Sequence, residues 1–197
     1  MADPLYLSLW FADFEVEDML PRALSVMRQF PFSEQQPGIS YVALYPVSWN
    51  EPTILEQRFR PGISPEEVIL VASDLLHKDY AYVFDAAWDL WILSDNGEQW
   101  TLQPSPVKFV VHGVEFDDSA YQQDGHIQVD LGFDSAFLQE EAQLSSETER
   151  RVRANVQKLV EFTTKVEKSS GARARLLWSE SDENLAQKLI ARLQKVQ

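Results

Sequence analysis

Residues 89–103, DLWILSDNGEQWTLQ, decide how this chain is read. An Asn-Gly pair between two runs of alternating apolar residues signals a β-hairpin with a tight turn. A two-residue turn would set Asp95 opposite Glu98, and the rest of the register follows from it. Leu93 then opposes Trp100 and Trp91 opposes Leu102, so four apolar side chains share one face. Ile92 meets Thr101 and Leu90 meets Gln103 on the other. A platform for a sugar or a base would carry hydrogen-bonding neighbours beside its rings. Trp91 and Trp100 have leucines, and read as core.

Upstream of the hairpin, LYLSLWFADF alternates as a strand at about 4–13. VEDMLPRALSVMRQF follows as a helix, with Asp18 as N-cap, Pro21 tolerated in the first turn, and Leu20, Leu24, Met27 and Phe30 on its apolar face. ISYVALYPVSW and TILEQRF are strands joined by a short connection. GISPEEVILVASDLLHK carries the clearest helix start in the chain: Ser64 caps, Pro65 takes the first helical position and Glu67 completes a capping box. Val68, Ala72, Leu75 and Leu76 line its inner face, and YAYVFDA is a fourth strand. The order β-α-β-β-α-β predicts a ferredoxin-like part over residues 1–87.

Residues 88–197 form a mixed second part. The hairpin leads into the strands PVKFVVHGVEF and GHIQVDLGF, separated by the polar loop DDSAYQQDG. A long helix starts at a capping box of Ser146 and Glu149, buries Val152, Val156, Leu159, Thr163 and Val166, and ends before Gly171. ARARLLWS is a last strand and DENLAQKLIARLQKV a last helix, capped by Ser181. The fold class expected is α+β: a ferredoxin-like part, then antiparallel strands and helix-strand-helix packed on it. No linker separates the halves, so one compact unit is expected.

Composition narrows the function. The 197 residues are 45% apolar and 24% charged, which suits a globular chain with a sizeable core. Cysteine is absent, removing disulfides, thiol nucleophiles and cysteine metal sites, and fitting a reducing compartment. No apolar run is long enough to span a bilayer, and no basic segment precedes the first apolar stretch as in a signal peptide. A soluble cytoplasmic protein without membrane contact is expected. Net charge is −14, unevenly spread: residues 146–197 balance at +4 and residues 1–145 at −18. A body this acidic repels nucleic-acid phosphates and attracts a basic protein.

Chemical motifs are few. Neither a Gly-rich phosphate loop nor G-x-S-x-G nor H-E-x-x-H occurs. His77 reads as the end of a helix. His112 and His126, with Glu115, Asp117, Asp118, Asp124 and Asp130, are the one grouping that could hold a metal. Matching apolar faces in a hairpin puts His112 opposite Leu131 and turns His126 and Asp130 the other way. Hydrogen-bonded strand histidines are therefore expected, with no metal, cofactor or catalytic residue assigned. DDSAYQQDG lacks the ligand spacing of an EF-hand loop.

The aromatic residues offer more. In a sheet with helices on one face, small aliphatic residues suit the helix side and leave the aromatics on the other. The first strand sends Leu5, Leu7, Leu9 and Phe11 one way, and Tyr6, Trp10 and Phe14 the other. The second sends Val42 and Leu44 one way, and Tyr41, Tyr45 and Trp49 the other. The fourth sends Ala81 and Val83 toward the helices, and Tyr80, Tyr82 and Phe84 to the open side. The first expectation is that the second half of the chain covers this face as an inter-domain core. Otherwise it is a groove for a peptide, a protein or a flat ligand, with Tyr6, Trp10, Tyr41, Tyr45, Trp49 and Tyr82 as contact residues. The functional expectation is a non-enzymatic binding or inhibitory protein, immunity-like in composition and class, with an acidic surface for a basic protein partner. The alternative is a small-molecule-binding domain or enzyme with an aromatic-lined pocket.

Overall fold

The computed structural model describes residues 2–94, 96–97, 99–138, 145–180 and 184–194. Among these residues seven strands form a single sheet: β1 (Pro4–Trp10), β2 (Tyr41–Pro46), β3 (Leu55–Arg58), β4 (Tyr80–Leu93), β5 (Trp100–His112), β6 (Ile127–Phe133) and β7 (Ala174–Ser179). Their order is β3-β2-β4-β5-β6-β1-β7, and every neighbouring pair is antiparallel. The protein is α+β, but the ferredoxin-like order is not formed. β1 pairs with β6 and β7 rather than with any strand of its own half.

The β4–β5 hairpin is the spine of the sheet. Its pairs are Leu90↔Gln103, Trp91↔Leu102, Ile92↔Thr101 and Leu93↔Trp100, the register read from the Asn-Gly turn. Ser94 N–H donates to Gln99 O, and Gly97, at φ 72°, donates to Ser94 O. The expected Asp95–Glu98 pair lies outside the described residues. β4 runs unbroken through residue 87, so the boundary expected there falls inside a strand that pairs with both halves.

Helices α1 (Met19–Met27), α2 (Pro65–Ala72), α4 (Ser135–Leu138), α5 (Ser146–Ser169) and α6 (Leu185–Gln194) share one apolar core with a single face of this sheet. α3 (Tyr121–Asp124) is one turn beside the ends of β1 and β6. Leu5, Leu7 and Leu9 of β1, Val42 and Leu44 of β2, and Val152, Val156, Leu159 and Val166 of α5 meet in that core. The helices of the second half thus pack on the same face as α1 and α2. This overturns the expectation that they would cover the other.

Helix boundaries follow local chemistry. Ser64 accepts from Glu67 N–H while the Glu67 carboxylate accepts from Ser64 N–H, as the capping box requires. α2 stops at Ala72, however, and leaves Leu75 and Leu76 exposed; His77 lies beyond the helix and pairs with Asp79. α5 is capped by Ser145, one residue before the expected Ser146: its Oγ accepts from Thr148 N–H. The cap expected at Ser181 lies outside the described residues.

β2 covers β4 only as far as Asp85, so along the rest of β4 one edge has no strand beside it among the described residues. Unpaired strand backbone invites association, and here other groups occupy it. Asp85 O accepts from Ser40 N–H, Ala87 O from Ser33 N–H and Asp89 O from the Lys158 ammonium. At Trp91 the Asn155 carboxamide bonds both the N–H and the C=O.

Candidate functional site

Pairing across the strands makes the helix-free face a set of transverse rows. One row runs Arg58–Tyr41–Asp85–Lys108–Asp130–Tyr6–Trp178 from one edge of the sheet to the other. At strand spacing it is about 29 Å long. Its charges balance: Lys108 Nζ lies 3.4 Å from an Asp85 oxygen and is paired in register with Asp130. The rings at its ends are held by neighbours. Tyr41 O–H donates to Glu56 at 3.0 Å with Arg58 over its ring, and Tyr6 lies 4.8 Å from Trp178. Burial and then the Glu56 carboxylate push the Tyr41 phenol up to about 12.

The next row is small and apolar. Ala43, Val83 and Val110 form a buried patch under Tyr41 and Tyr45. It continues through Gln128 to Ser8, whose Oγ accepts from the Trp178 indole N–H. The third row brings Tyr45 beside Ala81 and His112, at the end of the sheet where β2 and β5 leave it.

Five of the six residues expected on this face are there. Tyr6, Trp10, Tyr41 and Tyr45 are half-buried and Trp49 is 38% exposed. Trp10 is committed to structure, its indole N–H donating to Tyr121 O at 2.9 Å. Tyr82 is a correction. It lies fully buried on the helix side, and its hydroxyl donates to Ala72 O and Leu75 O at the end of α2. The cause is register: Tyr82 pairs with Leu44 and Phe84 with Val42, so they share the helix-side face of those residues. Ala81 and Val83 take the open side instead. Phe14, also expected there, lies beyond β1 and is buried against His126.

The tryptophans of the hairpin are neither display nor deep core. Trp100 packs at the margin of the core, and the Arg151 guanidinium of α5 lies 3.5 Å over the Trp91 ring. The cation covers one face of a half-buried ring.

The two histidines meet, contrary to the register expected for them. β5 ends at His112 instead of continuing to Phe116, and the pairs are Lys108↔Asp130 and Val111↔Ile127. His112 N–H donates to His126 O, and Leu131 is not its partner. His112 Nδ1 lies 2.8 Å from Gly125 O. His126 Nδ1 accepts from Phe11 N–H at 3.0 Å, and its ring is stacked between Phe14 and Tyr121. Burial lowers both pKa values, to about 4 for His126, where the neighbouring His112 adds to the effect. Both rings are structural parts of the sheet end. Among the described residues no group of three His, Asp or Glu side chains is placed to hold a metal.

That same end concentrates negative charge. The segment leaving β1 carries Asp13, Glu15, Glu17 and Asp18, and the segment leaving β5 carries Glu115, Asp117 and Asp118. Glu51 and Asp79 add to it from neighbouring loops and Asp124 from the end of α3, against Lys78, Arg173 and Arg22, whose guanidinium lies over Phe11. Backbone strain gathers there too. Asp117, Asp118 and Ser119 are consecutive left-handed residues at φ 47°, 53° and 62°, and Val47 has φ 63°. Aspartate tolerates this region, but a β-branched valine rarely enters it. Asp117 N–H donates to Val47 O at 2.8 Å, tying the two strained segments together. This corner escaped the reading of the sequence because left-handed Val47 has no glycine or asparagine to announce it.

Elsewhere, a cleft of about 240 Å³ lies on the helix side, lined by Gln29, Pro31, Lys158, Glu161, Phe162 and Lys165 among others. It is smaller than most ligand sites and touches none of the open-face aromatics. No helix among the described residues is long and apolar enough to cross a membrane. No family model, curated protein or solved structure matches the chain, so the reading of this face rests on its own chemistry.

Proposed function

We propose that this is a non-enzymatic binding or inhibitory protein, immunity-like in its use of charge, that recognises a basic protein partner through the helix-free face of its sheet. The observation carrying this reading is the adjacency of half-buried tyrosines and an exposed tryptophan to the acidic end of the sheet. Tyr and Trp supply interface area with a polar handle, and carboxylates around them steer a cationic partner and fix its orientation. The neutralised row through Asp85, Lys108 and Asp130 contributes little net charge. The acidic loops beyond Tyr45 therefore set the attraction.

The test has two stages. Proteins retained from the source lysate by the wild-type chain, but not by a folded Tyr45→Ala/Trp49→Ala variant, are identified and the strongest is purified. Its association rate is then measured against ionic strength. A basic partner whose association slows steeply with salt supports the reading. A partner whose rate is indifferent to salt, or binding unchanged in the variant, overturns it. Retention of a small metabolite instead would favour the alternative, a small-molecule pocket.

A further inference from the structure

Within the acidic sheet end, Trp49 differs from the other aromatic residues in what lies against it. Elsewhere in the protein, arginines lie over aromatic rings: Arg151 over half-buried Trp91 at 3.5 Å, Arg58 over half-buried Tyr41 at 5.2 Å and Arg22 over buried Phe11 at 5.2 Å. Trp49 is 38% exposed and, among the described residues, has no cation over its ring. Instead Tyr45, His112 and Phe116 meet it edge to face, at centroid distances of 4.9, 5.9 and 4.9 Å. Three rings in those orientations hold the indole in one place, which lowers the entropic cost of binding against it.

The segment bearing Asp117 and Asp118 runs beside this indole. Phe116 touches it and is followed directly by Asp117 and Asp118, and the Asp117 N–H bond to Val47 O fixes that segment to the strand end carrying Trp49. The nearby Lys78 is already paired with Glu115 at 2.7 Å, whereas Asp117 and Asp118 have no ion pair among the described residues. Exposed apolar surface continues to Val47, which is 54% exposed. A fixed indole beside a segment that bears two carboxylates suits a guanidinium, which can stack on a ring and also pair with carboxylates through its N–H groups. A lysine ammonium is a point charge and cannot stack as a plane.

We infer that the corner of Trp49, Asp117 and Asp118 is the anchor for an arginine side chain of the partner. The inference rests on the reading of the protein as an acidic binder of a basic protein, and it places the dominant contact at one end of the sheet face.

Nona-arginine and nona-lysine peptides serve as probes, titrated at low salt into the full chain with the indole N–H signals followed by NMR. Nona-arginine is expected to bind about three- to fivefold more tightly than nona-lysine and to shift the Trp49 indole signal most. Asp117→Asn/Asp118→Asn, which keeps residues that tolerate the left-handed backbone, should remove that preference, and Glu147→Gln/Glu161→Gln, which removes the same charge from exposed positions of α5, should not. Equal binding of the two peptides, or shifts that avoid Trp49, would overturn the anchor while leaving the acidic-binder reading intact. If neither peptide binds, that reading fails along with the anchor. Trp49→Phe, which preserves an aromatic ring at the site, assigns the signal and checks that the fold persists.

Discussion

The carboxamide of Asn155 on α5 holds the backbone of Trp91 as a neighbouring strand would: Trp91 N–H donates to Oδ1 at 2.9 Å, and Nδ2 donates to Trp91 O at 2.8 Å. Nδ2 also donates to Ala136 O at 2.8 Å, so one buried side chain ties α5 to β4 and to α4. Asn155→Ala strands three backbone groups, two part-buried at Trp91 and one buried at Ala136. It should cost about 2–4 kcal/mol, read as a lower urea midpoint with an unchanged slope. Asn155→Asp should cost at least as much, because a carboxylate then faces two carbonyl oxygens. A loss below about 0.5 kcal/mol in both would mean that the edge of β4 does not depend on this residue.

The histidine pair makes stability depend on pH. Burial holds His126 at about 4 in the folded protein, against 6.5 when unfolded. The unfolded chain therefore binds the proton first as pH falls, so stability is full above 6.5 and is lost as pH drops from there toward 4. Between pH 7.5 and 5 the loss attributable to His126 should reach up to about 2 kcal/mol. His126→Gln should be less stable at pH 7.5 but lose less on acidification, as followed by urea unfolding at both pH values. Equal pH slopes for the two proteins would show that His126 is not the group responsible.

Tyr82 and Tyr45 separate the two faces of the sheet. Tyr82→Phe leaves the acceptors at the end of α2 without their donor and should lower stability by about 1–1.5 kcal/mol. Partner binding should be untouched. Tyr45→Ser should do the reverse, with little effect on stability and a clear loss of binding. Thermal melts alongside binding measurements decide between this assignment and its opposite.

Gly125 sits at φ +95°, where a Cβ would meet Leu9 N at 2.8 Å and Ile127 O at 2.9 Å. Both obstacles are backbone of paired strands at the sheet end, so neither can swing away. Gly125→Ala should destabilise by about 2 kcal/mol or more through strain and steric conflict and should disturb the His112 contact with Gly125 O. A variant with native stability and an unaltered His112 NMR signal would contradict the close approach.

Much of the local structure was legible in the residues. The Asn-Gly turn gave the β4–β5 register, Ser64 and Glu67 gave the start of α2, and the apolar stripe of α5 is buried where its spacing predicted. Each depends on interactions within a few turns or along one hairpin. The candidate site was half legible. Alternation separated Tyr41, Tyr45 and Trp49 from Val42 and Leu44, whereas the same period of two in β4 could not say which set faced the helices. Only pairing with β2 did, and it placed Tyr82 and Phe84 inward. The acidic corner was harder still, because Val47 and Asp117 become neighbours through a single backbone bond between distant segments.

The sequence by itself determined the elements: which segments alternate, where α2 is capped, and that the acidic charge lies in residues 1–145. Those properties are carried by neighbours in the chain. Tertiary structure alone decided the sheet order, with β1 between β6 and β7, and so decided that all the helices of the core share one face and leave the aromatic rows bare. Strand partners are chosen by long-range packing against a common core, and many pairings of seven strands satisfy the same local patterns.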